Sequence, residues 1–334
     1  MSAPGQHPHT GLRAPARSSP ARAPGSVRRT TVTDMLRPDG VTGGMVVRAT
    51  GRDIRTSSSG EAVELSRAGL EVDIDYLSGR TVRAIASEPA EPALGQLVGA
   101  SAASGFRRLA RDAVPGQAAR RTVLYQLLDD VPVAALIGGY AAGAMRRPGT
   151  LPAAGMGSRA GICAGFQDGG TMMDLVARHG SVPTVVGPVA PEVGGADPDG
   201  WQRITPLPPG GMRRRRLLDV TPDGAQLRVF TWFRDTFQFP GGDQTIVHEY
   251  EVDARVVPGS WTVAEATATP RVLPWSECPQ AAASAGRLAG QSLPGLRERV
   301  RTDFVGISTC THLNDQLRSL ADVIALAEAC LPAA

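Results

Sequence analysis

The chain has 334 residues, of which 42% are hydrophobic, enough for one large domain or two of ordinary size with a real core. Its 35 basic and 32 acidic residues nearly balance at +3, and aromatics make up only 4%, which argues against stacking platforms for nucleic-acid bases. Every basic residue is arginine; with no lysine, Schiff-base and pyridoxal-phosphate chemistry, Walker-A nucleotide binding and Ser–Lys dyads are excluded.

Residues 1–26 are rich in Pro, Ala, Ser and Arg without a continuous apolar run, and read as a disordered tail rather than a secretory signal. From Arg28-Arg29 onward the chain carries landmarks that return later. Met35-Leu-Arg-Pro-Asp-Gly40 is matched by Leu218-Asp-Val-Thr-Pro-Asp-Gly224, and Arg52-Asp53 by Arg234-Asp235. The matches continue with Glu71-Val-Asp73 and Glu251-Val-Asp253, Thr81-Val82 and Thr262-Val263, Pro89 and Pro270, and Gly99-Ala-Ser101 and Gly290-Gln-Ser292. The offset stays between 180 (Glu71 to Glu251) and 191 (Gly99 to Gly290), which predicts an internal duplication.

Strands are expected at residues 44–51, 69–76 and 81–87, and again at 226–233, 247–257 and 261–269. Apolar helical periods follow in each half. In the second, Leu313, Leu317, Leu320, Ile324 and Ala327 share one face. The expected fold is therefore α+β: two degenerate repeats, each an antiparallel β-meander packed against helices, related by a pseudo-twofold. Residues 27–146 form the first repeat and 212–334 the second. The Gly/Pro-rich stretch 147–211 connects them, and reads as a loop folded over one repeat. The apolar run from Val131 to Met145 is interrupted by glycines and too short to span a bilayer. Four cysteines in a chain this long form no disulfide framework, and a cytoplasmic protein is expected.

A duplication supplies an internal control. The Arg-Asp pairs and Pro-Asp-Gly turns occur in both copies and read as structural. His248, Cys278, Cys310 and His312 occur only in the second, against Ala68, a deletion before Leu97, Leu124 and Gln126 in the first. Pro279 marks a helix start with Cys278 as its N-cap, and Cys310 opens the last helix. Helix N-termini lower thiol pKa values and favour thiolate. His248 lies on a strand, its ring on the face opposite Glu249. Two Cys and one or two His suffice for Zn2+ or Fe, and an open fourth position would make the site catalytic. The competing readings are small buried cysteines with His312 merely beginning a helix, and a Cys278–Cys310 redox pair.

The second half, from about Arg213 onward, resembles a bacterial family of unknown function. Its signature is a small residue followed by Cys-Thr-His-Leu, here Thr309-Cys310-Thr311-His312-Leu313. That family also carries a Cys-Pro helix start, here Cys278-Pro279, and a strand opening His248-Glu249-Tyr250. More distantly, the same stretch resembles iron–sulfur scaffold and zinc-dependent sulfur-transfer proteins of the IscU/NifU/SufU type. Cys278-Pro-Gln-Ala281-Ala-Ala-Ser284 and Cys310-Thr-His-Leu313 match two of that type's three motifs. The third, a strand-borne Cys-Gly-Asp, lacks its cysteine here, leaving Gly242-Asp243 or His248-Glu249 near the place.

Weaker signals complete the picture. Arg213 to Arg216 reads as a solvated strand edge, since Arg28-Arg29 holds the same repeat position, and no nucleic-acid or membrane partner is expected. Cys163 lies in a Gly-rich loop, Cys330 on the apolar side of the last helix, and His179 at a helix end. The functional expectation is a metal-dependent enzyme, hydrolytic or lyase-like, acting on a small-molecule substrate. Cys278, Cys310, His248 and His312 would be its ligands, with His312 and Glu249 as acid/base groups and Glu249 or Asp243 as a ligand-orienting carboxylate. The alternatives are an iron–sulfur cluster or sulfur carrier, and a non-catalytic structural protein.

Overall fold

Long runs of β-branched and apolar residues punctuated by Gly turns produce eight strands. They pair in one antiparallel sheet, seen here in a computed structural model that describes residues 5–6, 14–41, 43–145, 160–180, 182–194 and 197–330. In chain order the strands of this sheet are β1 (Val27–Leu36), β2 (Met45–Thr56), β3 (Ala62–Asp75), β4 (Thr81–Glu88), β5 (Met212–Asp223), β6 (Gln226–Gln238), β7 (Gln244–Val257) and β8 (Thr262–Val272). Their spatial order is β8-β7-β6-β5-β1-β2-β3-β4. Two four-stranded meanders therefore join through the antiparallel pair β1·β5, whose register runs from Val27 opposite Val220 to Met35 opposite Met212. A two-residue parallel pair, Gly5–Gln6 with Val185–Val186, stands apart.

Helices cover one face. Over the first meander lie α1 (Phe106–Ala113), α2 (Pro115–Arg120), α3 (Val123–Ile137) and the short α4 (Gly139–Ala144). The core there contains Val47, Leu70, Val72, Ile74, Leu94, Phe106 and Leu128. Over the second meander lie α5 (Thr171–His179), a 3-10 run from Cys278 to Leu288, α6 (Leu296–Asp303), α7 (Thr311–Ser319) and α8 (Val323–Cys330). Phe233, Tyr250, Val252, Leu288, Leu313 and Leu317 pack in that core. The stretch Val123–Ala144 is long and apolar enough to cross a membrane by composition alone, yet most of it is buried against the sheet. It extends further toward the N-terminus than the apolar run read from the sequence.

The other face is covered without helices. Val32, Leu217 and Trp232 form a small cluster there with Val193 and Trp201, and Ala16 and Ile204 pack against it. Residues 14–26, read from the sequence as part of a disordered tail, are held by specific bonds. The Ala16 amide donates to Glu249 and the Ala16 carbonyl accepts from Arg234, while the Ser19 amide donates to the Val193 carbonyl. Of the connecting segment, Gln202 accepts from Thr30 and donates to the Thr50 carbonyl, while the Thr205 carbonyl accepts from Arg213. The described residues of this stretch, 193–194 and 197–205, thus touch both meanders, not one. Backbone carbonyls that would otherwise lack donors find them in arginines of the sheet.

Those arginines correct the sequence expectation most sharply. Arg213 to Arg216 are not a solvated edge: β5 is a central strand, and all four are buried, as are Arg28 and Arg29 on β1. Each of the innermost has a carboxylate. Arg28 forks Asp219 and Arg213 forks Asp34 across the β1·β5 seam on the irregular-segment face. On the helix face Arg29 forks Asp53, Arg214 forks Asp235, and Arg216 reaches Asp130 of α3 at 3.0 Å. A guanidinium stays charged in any protein interior, so its burial is tolerable only with such bidentate partners.

Arg29 also donates to Asp322 at 3.0 Å. We expect Arg29→Met to cost about 3–5 kcal/mol of stability, because it leaves Asp53 and Asp322 without their shared cation. Urea unfolding checks this; a loss below about 1 kcal/mol would show that these carboxylates are adequately solvated without Arg29.

Candidate functional site

The sequence expectation placed His248, Cys278, Cys310 and His312 together. The structure divides them into two neighbouring groups. His248 lies on β7 directly opposite Asp235 of β6, next to a bulge at Val247 that shifts the register. His312 sits in the first turn of α7, whose N-cap is Cys310. The two imidazoles stack, with ring centroids 3.8 Å apart and planes 25° from parallel. Their partner is Asp235, whose Oδ2 lies 3.1 Å from His248 Nδ1 and 3.9 Å from His312 Nδ1. One donor atom from each of Asp235, His248 and His312 falls within 4.8 Å of the other two.

Arg214 holds this group from beneath. Its Nε and Nη2 donate to Asp235 at 2.6 and 2.7 Å, and Nη2 also lies 3.4 Å from His312 Nδ1. A guanidinium only donates, so His312 Nδ1 faces it with a lone pair. Burial alone would push the Asp235 carboxyl up, but the Arg214 charge and fork, helped by His248, hold it well below the usual carboxylate range. The same surroundings push His312 well below its ordinary value: first burial, then the neighbouring His248, with Arg214 adding to both against Asp235. The result is an ionised carboxylate beside a neutral imidazole. His248 and His312 keep side-chain exposures of 11% and 15%, so the group reaches solvent.

Cys278 and Cys310 lie in the adjoining apolar core. Tyr250, two residues along β7 from His248, stands between the groups, its hydroxyl 3.4 Å from the Cys278 carbonyl oxygen. Cys163 joins them: its loop is fixed by the Ala164 amide donating to the Thr309 carbonyl, and Gly165 lies close against the Cys278 sulfur, with no room there for a side chain. Glu277 is the N-cap, Cys278 the first residue of a 3-10 run, and no side chain caps that run. The expectation of thiolates at positive helix ends therefore fails. Burial, then the neighbouring thiols, push Cys310 up to about 12 and Cys278 well above its ordinary value. Desolvation of the anion outweighs the helix-end field.

The carboxylates expected to assist lie elsewhere. Glu249, the proposed acid/base or ligand-orienting group, follows His248 on the strand and so points through the sheet to the other face. There it accepts from Trp232 at 2.7 Å, Arg234 at 2.9 Å and the Ala16 amide. Asp243 is exposed in the β6–β7 turn. Cys330 is half-buried at the end of α8, and His179 ends α5 ahead of a left-handed Gly180. Sequence reasoning set aside Asp235 as half of a structural Arg-Asp pair and Arg214 as part of a solvated strand edge. The available signal was an arginine-rich strand followed by an acid on the next strand, facing the same side as His248.

Fold and site together define an α+β protein in which a buried Arg-Asp fork supports a pair of stacked histidines. Residues 212–326 match the model of a family described as a protein of unknown function, DUF2889. Arg214, Asp235, His248, Cys278, Cys310 and His312 all fall inside the match, and Cys163 falls outside it. No curated protein and no solved structure matches the chain.

The protonated state of the thiols has a direct readout. At pH 8 we expect iodoacetamide to label Cys278 and Cys310 at least ~100-fold more slowly in the native protein than in urea, because only thiolate reacts. Peptide mapping measures it; comparable native and unfolded rates would mean that the pocket admits water and stabilises thiolate.

Proposed function

We propose that residues 212–326 carry a mononuclear metal centre with His248, His312 and Asp235 as ligands, serving an enzyme that acts on a small-molecule substrate. The observation that carries this reading is the convergence of three donor atoms, two imidazole and one carboxylate, from three separate elements. Ligand atoms around a tetrahedral Zn2+ at about 2.0–2.1 Å lie roughly 3.3 Å apart, close to the 3.1 Å between Asp235 Oδ2 and His248 Nδ1; His312 Nδ1 lies 3.9 Å from the same oxygen and would exchange its contact with Arg214 for the ion. The donors suit Zn2+ or Fe, and a neutral imidazole and ionised carboxylate need shed little proton to bind. When bound, such an ion polarises a carbonyl or activates water, which suits hydrolytic or lyase chemistry. Arg214 keeps Asp235 ionised and oriented, the stabilising role that groups behind a metal ligand commonly have.

The two meanders read as degenerate copies about a pseudo-twofold, and several contacts support this. At an offset of 185, Thr31 and Arg216 face each other in the middle of the β1·β5 pair (216 − 31 = 185). The same offset relates Arg28–Asp219 to Arg213–Asp34, each pair forming the other's mirror across the seam (213 − 28 = 185 and 219 − 34 = 185). Arg29–Asp53 then corresponds to Arg214–Asp235. Opposite Asp53 stands Ser66, not the Ala68 suggested by sequence alignment, and its hydroxyl donates to Asp53 at 3.0 Å. Thr122, the N-cap of α3, corresponds to Cys310, which puts Leu124 where His312 stands. The first copy retains the Arg-Asp brace without either imidazole, so the brace serves the fold and the histidines are an addition to it.

A metal-free reading rests on the 3.1 Å contact from His248 Nδ1 to Asp235, which would leave His248 Nε2 as a general base. A cluster or sulfur carrier draws on Cys163, Cys278 and Cys310, whose burial and raised pKa values disfavour it.

Elemental analysis of protein prepared without chelators separates these readings. We expect about one Zn or Fe per chain, lost in His248→Ala and in His312→Ala and kept in Cys278→Ser and Cys310→Ser. Loss in the cysteine variants alone would move the centre to the thiols, and metal-free wild-type protein would overturn the metal reading in favour of the acid–base pair.

A further inference from the structure

A second feature, independent of the histidine centre, lies where the helices of the two meanders meet. A cleft of about 1160 Å³ opens between α1, the start of α3, α6 and α7. Its inner wall holds Arg107, Arg297 and Arg318, each tied to a carboxylate. Arg107 reaches Asp315 at 2.6 Å, Arg297 forks Asp322, and Arg318 reaches Asp129 at 2.7 Å. Arg318 is nearly fully buried, yet its Nε–H has no acceptor.

The rim is different. Arg108, Arg111, Arg121 and Arg301 line it, against only Asp112 and Glu298. Arg108, Arg111 and Arg301 have side chains 66%, 51% and 58% exposed. Their pairings, Arg108 and Arg111 with Asp112 and Arg301 with Glu298, are short-range surface contacts of the kind that contribute little and yield readily. The inner arginines are balanced by Asp129, Asp315 and Asp322, so four rim cations against two rim anions leave the cleft two charges positive. Gly105 and Gly295, the left-handed N-caps of α1 and α6, also line it, so two helices begin at its edge. Pro115, Ala118 and Ala119 of α2 supply accessible apolar surface.

We propose that this cleft binds a phosphorylated small molecule of nucleotide size, its phosphoryl oxygens held by the rim arginines and its apolar part set against Pro115 and Ala118 of α2. Planar guanidinium forks match phosphoryl oxygens, and the volume slightly exceeds the upper end of ordinary small-molecule sites. A cleft walled by helices and partly open to solvent suits a compact ligand better than a polymer, which needs an extended basic track. The cleft also touches the histidine centre through one residue. Asp315 holds Arg107 by one oxygen, and its other oxygen lies 4.0 Å from Arg214.

Calorimetric titration with ADP and with inorganic pyrophosphate, in EDTA and at constant ionic strength, tests the proposal without reference to any metal. We expect saturable one-to-one binding, with ADP the tighter, weakened at least tenfold in Arg108→Ala/Arg301→Ala. The control Arg48→Ala/Arg83→Ala, which removes the same charge from exposed strand positions, should bind as the wild type does. Absence of saturable binding by either probe, equal weakening in the control, or binding of an RNA oligonucleotide that neither probe displaces would overturn it. Thermal unfolding of each variant confirms that the fold is retained.

Discussion

A guanidinium in the middle of a β-sheet sets terms for everything around it. It cannot shed its proton, so each buried arginine demands an ionised carboxylate at fork geometry, and the remaining N–H groups demand further acceptors. β1 and β5 carry six such arginines, three on each face: Arg28, Arg213 and Arg215 on one, and Arg29, Arg214 and Arg216 on the other; four of them have forked carboxylates, while Arg215 and Arg216 each reach one carboxylate oxygen. The irregular-segment face can therefore not be left to water. Arg28 donates to the Pro20 carbonyl, Arg213 to Thr205 and Arg234 to Ala16, while Arg215 lies 4.5 Å over the Trp201 ring. The irregular chain on that face is fixed by the charges it covers.

The same constraint shapes the histidine centre. Asp235 is fully buried and would take up a proton if it stood alone; Arg214 prevents this, and the burial of Arg214 is in turn offset by Asp235 first, then by Asp315 and Asp130. The ionised Asp235 then gives His248 a fixed partner. His312 stays neutral chiefly because it is buried, with the neighbouring imidazole of His248 and the Arg214 cation adding to the effect. The chemistry available to the site thus follows from a charge balance that extends to the carboxylates of α3 and α7. An Arg-Asp fork on this sheet does not require an imidazole: Arg29 forks Asp53 with Ser66 opposite, its hydroxyl donating to the same carboxylate.

Much of this was legible before the structure. The alternation of strand and turn in each half gave an α+β protein with antiparallel meanders, and the second half was marked out by its histidines. The burial of Arg213 to Arg216 was not legible, because four consecutive charges on a strand read as a surface until β1 is seen to pair with β5 and close the sheet on that side. Nor was the order of residues 14–26, whose composition resembles a flexible leader. What holds them is the long-range set of arginine and glutamate bonds, and no local pattern announces a partner more than 200 residues away.

The division between thiols and imidazoles is where local geometry overrides proximity in sequence. Cys310 and His312 are two residues apart at a helix start, but Cys310 is the extended N-cap and His312 lies within the first turn, so their side chains leave in different directions. One looks into the apolar core beside Tyr250, and the other toward Asp235. On β7 the period is two, so His248 and Tyr250 share a face while Glu249 between them is sent through the sheet. A Cys-x-His spacing at a helix start therefore separates its two ligands, whereas a His-x-Tyr spacing on a strand keeps them side by side. The helix delivers one imidazole, the strand delivers the other, and the carboxylate that completes the group comes from the neighbouring strand by cross-strand register. Sequence spacing within either element could not have named it; the pairing of Asp235 with His248 does.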